Sequence, residues 1–188
     1  MATIIYSNMG DEDCLCLQKI WEGIPEVKVV ETTFTSEMTR EEIDAAISAE
    51  KDLLICCGHG TPAGLLGLSD NLLGYSFGAR QIDLVKAKNF FGMWCNASDF
   101  AKYYGMKGFF TSMFISNPEE ALMYGIEGTT QDYINEATIR FCNKVNELIR
   151  SGKDVELWRD ELMPVMDKNN PVDVFNYKGL YLSGGKCE

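Results

Sequence analysis

Basic residues are scarce in this chain. Of 188 residues, 17 are Lys or Arg against 28 Asp or Glu, a net charge of −11. Such an excess of negative charge opposes binding to phosphate backbones and anionic lipid, so neither nucleic acid nor a membrane is an expected partner. The Cys-x-x-Cys pairing of a structural zinc site is missing: of the seven cysteines (14, 16, 56, 57, 95, 142 and 187), Cys14 and Cys16 flank one residue and Cys56 and Cys57 are adjacent. No metal and no cofactor is expected. An odd set of thiols without a small disulfide-rich scaffold fits a reducing compartment. The opening Met1-Ala-Thr-Ile-Ile-Tyr-Ser has no basic region and no long apolar stretch, so the expectation is neither a leader nor a spanning helix, and a cytoplasmic location. Linkers and repeats are lacking too. With 46% apolar residues, one domain over 1–188 is expected.

What is present alternates strand-like and helix-like segments. Thr3 to Ser7, Val27 to Phe34, Leu53 to Cys57, Phe90 to Cys95 and Gly108 to Ile115 read as strands. The run at 53–57 is short and continuously apolar, as a strand covered on both faces should be. Helices are expected from Asp13 or Cys14 to Glu22, and from Ser36 to Ser48 with Thr39 and Glu42 as a capping box. Further helices are expected over 79–86, 97–104, 118–124, 130–149 and 154–166, and extended pieces over 172–175 and 180–182. The 64–78 stretch reads as a mobile rim wall or, more plainly, a β-hairpin or irregular packed segment. Alternation of this kind predicts an α/β fold with a doubly wound, mostly parallel sheet and helices on both faces.

Histidine is the rarest side chain of all, one residue, and it occupies an informative place. His59 ends the apolar run Asp52-Leu-Leu-Ile-Cys-Cys57 inside Gly58-His59-Gly60, and 36 residues later the run Asn89-Phe-Phe-Gly-Met-Trp94 ends in Cys95. Parallel strands end at one rim of a sheet, where active groups collect. A thiol beside an imidazole is the minimal equipment for attack on a carbonyl: the imidazole takes the thiol proton and returns it to the leaving amine. A helix starting at Asn96 or Ala97 would favour the thiolate. Gly60, without a side chain, lets a substrate carbonyl approach its N–H, which with the Cys95 N–H makes an oxyanion site.

The segments Leu53-Leu-Ile-Cys-Cys-Gly-His59-Gly60 and Phe90-Phe-Gly-Met-Trp-Cys95-Asn-Ala-Ser98 resemble the two signature blocks of the caspase-like cysteine peptidases. That group includes caspases, metacaspases, legumain, gingipain, clostripain, separase and CHAT domains. The resemblance implies the caspase-like fold, His59 as general base and acid, Cys95 as nucleophile, Gly60 as an oxyanion donor, and a peptide or protein substrate. Departures are visible: Trp94 stands where the family usually has a small residue, the Gln-Ala-Cys-x-Gly signature of caspases is absent, and the interval of 36 is shorter than about 50. Residues 116–188 carry no part of the resemblance.

Substrate choice is expected from the loop after the first strand. Asp11 and Glu12 are candidates for pairing with a basic substrate side chain, and Asp13 for capping the helix that follows. The rivals to a cysteine hydrolase are a catalytically inactive caspase-like binding or regulatory domain, with Trp94 covering the thiol, and a flavodoxin- or receiver-like ligand-binding domain. Against the last, the Ser7–Asp13 loop is acidic where a phosphate cradle needs backbone donors.

Overall fold

The computed structural model describes residues 2–10, 12–33, 37–70 and 72–184. In chain order its elements are β1 (Ala2–Ser7), β2 (Val27–Glu31), α1 (Arg40–Ala49), β3 (Leu53–Gly58), β4 (Gly60–Thr61), β5 (Gly64–Ser69), β6 (Leu72–Gly78), β7 (Asn89–Met93), α2 (Ala97–Tyr104), β8 (Gly108–Phe110), α3 (Pro118–Met123), α4 (Gln131–Ser151), α5 (Trp158–Leu162), α6 (Pro171–Lys178) and β9 (Tyr181–Ser183). Short 3-10 helices cover Leu15–Ile20, Ala79–Leu84, Val155–Leu157 and Met163–Val165.

Six strands form the main sheet in the order β2-β1-β3-β7-β8-β9. All neighbours are parallel except β8 and β9, which are antiparallel. The chain winds outward from β1 to one side through β2 and to the other through β3, β7 and β8, so the switch of direction falls beside β1. Alternation along the strands separates two apolar layers. Ile4, Tyr6, Ile55, Cys57, Phe91 and Met93 point to the face covered by α4, whose Phe141, Cys142 and Val145 complete that layer with Trp158. Ile5, Leu54, Cys56, Phe90 and Trp94 point to the opposite face, against Ile43 and Ile47 of α1 and Phe100 of α2. Helices therefore lie on both faces. Among the described residues no helix is long and apolar enough to cross a membrane.

The 64–78 stretch is the hairpin β5–β6, extended by β4 into a second, three-stranded sheet. Its Leu65 and Phe77 are fully buried against the main sheet, so it is a packed wall of the fold.

Several expected elements differ. The segment after β1 is a 3-10 helix rather than an α-helix; Cys14, at its N-cap position, supplies no side-chain cap to its first turn. The helix expected from Ser36 starts at Arg40, with Phe34 to Ser36 outside the described residues, and the Thr39–Glu42 capping box forms as expected. The fifth strand is shorter than expected, Gly108–Phe110, although Thr111 N–H still donates to the Gly92 carbonyl and Ser112 N–H to that of Gly179. The 154–166 helix is broken into three short pieces, with Pro164 in the last. Residues 172–175 are helical, not extended: Asn170 caps α6 by accepting from Val172 and Asp173 N–H, and Pro171 at the first position removes a donor that would be orphaned anyway.

Candidate active site

The register of β3 against β7 places His59 and Cys95. Leu53 pairs with Asn89 and the pairing continues to Cys57 with Met93, a constant offset of 36 residues. His59 and Cys95 have that same offset and each lies two residues past the last pair. Adjacent strands are about 4.8 Å apart, and paired residues of parallel strands face the same way. The two residues thus leave the sheet side by side at the carboxyl ends of β3 and β7. Both are half-buried, and both line one cavity of about 30 Å³ together with Asp13, Cys14, Phe114 and Ser116.

Each neighbour has a local cause for its place. Gly58 joins β3 to His59 with φ +136°, a conformation L side chains rarely adopt, and a Cβ there would overlap the Ser7 carbonyl oxygen of β1. Only glycine lets β3 run that close to β1 and still turn out toward His59. After Cys95 the chain reverses through Asn96 in the left-handed region (φ 65°, ψ 28°), and α2 begins at Ala97. Asn96 N–H donates to Ser112 O at 3.1 Å and Thr111 Oγ1 donates to Trp94 O at 3.1 Å, fixing this turn to the segment after β8.

The Cys95 thiol donates to the Phe114 carbonyl at 3.9 Å. Burial pushes its pKa up to about 11, and the nearby Glu120 carboxylate adds to the rise. At neutral pH Cys95 is therefore a thiol at rest. Glu120 Oε2 accepts from Ser116 N–H at 2.8 Å and from its hydroxyl at 2.9 Å, and Glu120 N–H donates to Asn117 Oδ1, the cap of α3. Asn117 Nδ2 donates to Asp13 Oδ2 at 2.7 Å, joining two segments 104 residues apart across the rim. The cavity is small, and this bridge spans its rim.

The Trp94 ring is 1% exposed and packs with the layer under α1 and α2, between Phe77 and Phe100, while the residue also borders the cavity. Glu12 is exposed and does not line the cavity, and Asp11 lies outside the described residues. Asp13, read as a helix cap, lines the cavity and accepts from Asn117 Nδ2. The wall from Phe114 to Glu120 was invisible in sequence: its signal is a cap, Asn117-Pro118-x-Glu120, that marks a helix and no chemistry. Among the described residues no group of three or more His, Cys, Asp or Glu is arranged to hold a metal ion.

No family model and no curated protein sequence matches the chain. Its fold is similar to a solved structure, that of the Arg-specific cysteine proteinase gingipain R, at a TM-score of 0.51 and 12% sequence identity. The likeness covers 97% of this chain and 46% of that one, so the chain spans less than half of that proteinase's length. At this identity the likeness concerns the fold alone, which is a caspase-like α/β fold with a mostly parallel central sheet flanked by helices.

Proposed function

We propose that the chain is a cysteine hydrolase acting on peptide or protein substrates, with Cys95 as nucleophile and His59 as general base and acid. The observation that carries this reading is the shared offset: the one histidine and one half-buried cysteine leave adjacent strands in register and line the same cavity. Fold likeness to a cysteine proteinase supports it.

In this reaction His59 takes the Cys95 proton as sulfur attacks the substrate carbonyl, since the raised thiol pKa leaves little thiolate beforehand. The tetrahedral oxyanion accepts from Gly60 N–H and Cys95 N–H. Leu66 N–H donates to the His59 carbonyl at 2.9 Å, which makes Gly60–Leu65 a non-hydrogen-bonded pair and turns Gly60 N–H away from β5. Collapse breaks the C–N bond, His59 protonates the departing amine, and water then hydrolyses the thioester through the same imidazole. A basic substrate side chain at this rim would pair with Asp13 in place of Asn117, Asp11 and Glu12 preceding it in sequence.

The test is labelling of the intact protein with peptidyl acyloxymethyl ketones. Labelling is expected to vanish in Cys95→Ala and His59→Ala and to persist in Cys142→Ala and Cys16→Ala. Equal labelling of wild type and Cys95→Ala rejects the nucleophile. The small cavity and raised thiol pKa favour a second reading, a catalytically silent caspase-like binding domain. Alkylation of Cys95 by iodoacetamide together with inertness to every ketone supports that reading instead.

A further inference from the structure

We infer that Trp94 is a positioning residue that clamps the His59-Gly60-Thr61 segment to the strand ending in Cys95, and so sets the Gly60 N–H for the developing oxyanion. The inference rests on the proposed hydrolase reading. Three observations on the molecule lead to it.

The indole is bonded to that segment. Nε1–H of Trp94 donates to the Thr61 carbonyl at 3.1 Å, 33 residues away in the chain. The ring also lies on the Gly60 backbone: a Cβ added at Gly60 would overlap Cδ1 of Trp94 and stand 2.6 Å from its Cγ. Gly60 is thus glycine because an indole occupies the space of its side chain, a requirement separate from substrate approach.

The indole itself has no freedom to drift. It is 1% exposed, packed edge-on to Phe100 at 5.6 Å between ring centres and tilted on Phe77 at 6.2 Å. Its own carbonyl accepts from Ala97 N–H and from the Thr111 hydroxyl, each at 3.1 Å. Position 94 is therefore fixed at both backbone and ring, one residue before the sulfur.

The clamped segment needs an external hold. β4 is two residues long and pairs only with β5, so the tilt of the Gly60 peptide about that pairing is held by what packs on the face of the strand. Trp94 packs on that face and bonds the next residue's carbonyl. A donor displaced by about 1 Å loses much of its effect on a transition state, so the clamp acts on rate rather than on thiol chemistry alone.

The experiment uses the full chain with Trp94→Phe, Trp94→Leu and Gly60→Ala, and two reagents. Iodoacetamide alkylates Cys95 without an oxyanion, whereas acyloxymethyl ketones bearing Arg, Leu or Asp beside the carbonyl need the carbonyl oxygen held. In Trp94→Phe, which keeps an aromatic ring and loses the bond to Thr61, ketone reaction is expected to slow at least tenfold while alkylation of Cys95 changes less than twofold. Trp94→Leu and Gly60→Ala are expected to show the same split. Trp94→Phe reacting with ketones at the wild-type rate overturns the inference and leaves the hydrolase reading standing. Parallel loss of both rates assigns Trp94 to stability alone and also overturns it. A wild type inert to all the ketones yet alkylated at Cys95 removes the hydrolase reading and this inference with it.

Discussion

Cys95 carries its proton at rest, and that has a measurable consequence. With the thiol pKa held up to about 11, iodoacetamide alkylation of the free protein should climb about tenfold per pH unit from 7 to 10. A plateau already reached near pH 7 would show a preformed thiolate–imidazolium pair and contradict the substrate-stage proton transfer argued above. Ser98 offers a contrast three residues further on. It is 1% exposed, and its hydroxyl has no hydrogen-bond partner among the described residues. An orphaned buried hydroxyl costs free energy, so Ser98→Ala should leave the unfolding free energy read by urea denaturation unchanged or raise it, by up to about 1 kcal/mol, with ketone labelling intact. His59 and Cys95 were legible in sequence because each ends an apolar strand. Their partners Phe114, Asn117 and Glu120 were not, because the contacts come from chain segments that only tertiary packing brings to the rim.

Individual elements hold these residues in place through local chemistry that substitution can test. In Gly58→Ala the new methyl would meet the Ser7 carbonyl, a backbone atom that cannot swing aside, in a backbone conformation alanine resists. A loss of at least about 3 kcal/mol or failure to fold is expected, read as soluble yield and melting temperature; a wild-type melt would refute the role given to β1–β3 proximity. At α1, Thr39→Ala removes the acceptor of Glu42 N–H and should cost about 1 kcal/mol in urea denaturation, without effect on the distant site. The capping box was readable because its four residues are consecutive. By contrast, α6 was read as extended because Val172, Val174 and Phe175 favour strands, and the Asn170-Pro171 start signal outweighs them in the structure. The segment at Leu15–Ile20 was read as helical, and only its 3-10 form escaped: that form goes with the packing of Leu17 and Ile20 in the layer under α4.

Across the whole molecule, burial of thiols ties stability to pH. Cys56, Cys57 and Cys142 are fully buried, and desolvation raises each thiol pKa. In the unfolded chain these groups ionise near roughly 8.5. Above that pH the folded state binds more protons than the unfolded one, so stability falls as pH rises. Under reducing conditions the urea midpoint should be nearly flat from pH 6 to 8 and decline from about pH 9; a flat profile to pH 10.5 would contradict the burial of these thiols. The same burial restricts covalent chemistry. Among the described cysteines only Cys16 and Cys95 are half-exposed, and Cys16 does not line the cavity.

The distinction between those two thiols gives the most direct test of the His59–Cys95 pair. An activated peptide ester is mixed with the protein, the reaction is stopped in acid within the first turnover, and the acyl group is mapped by mass spectrometry. The expected result is one acyl group on the peptide containing Cys95, formed at least a hundredfold more slowly in His59→Ala. An acyl group found on Cys16, or formed at Cys95 equally fast without His59, would contradict the account.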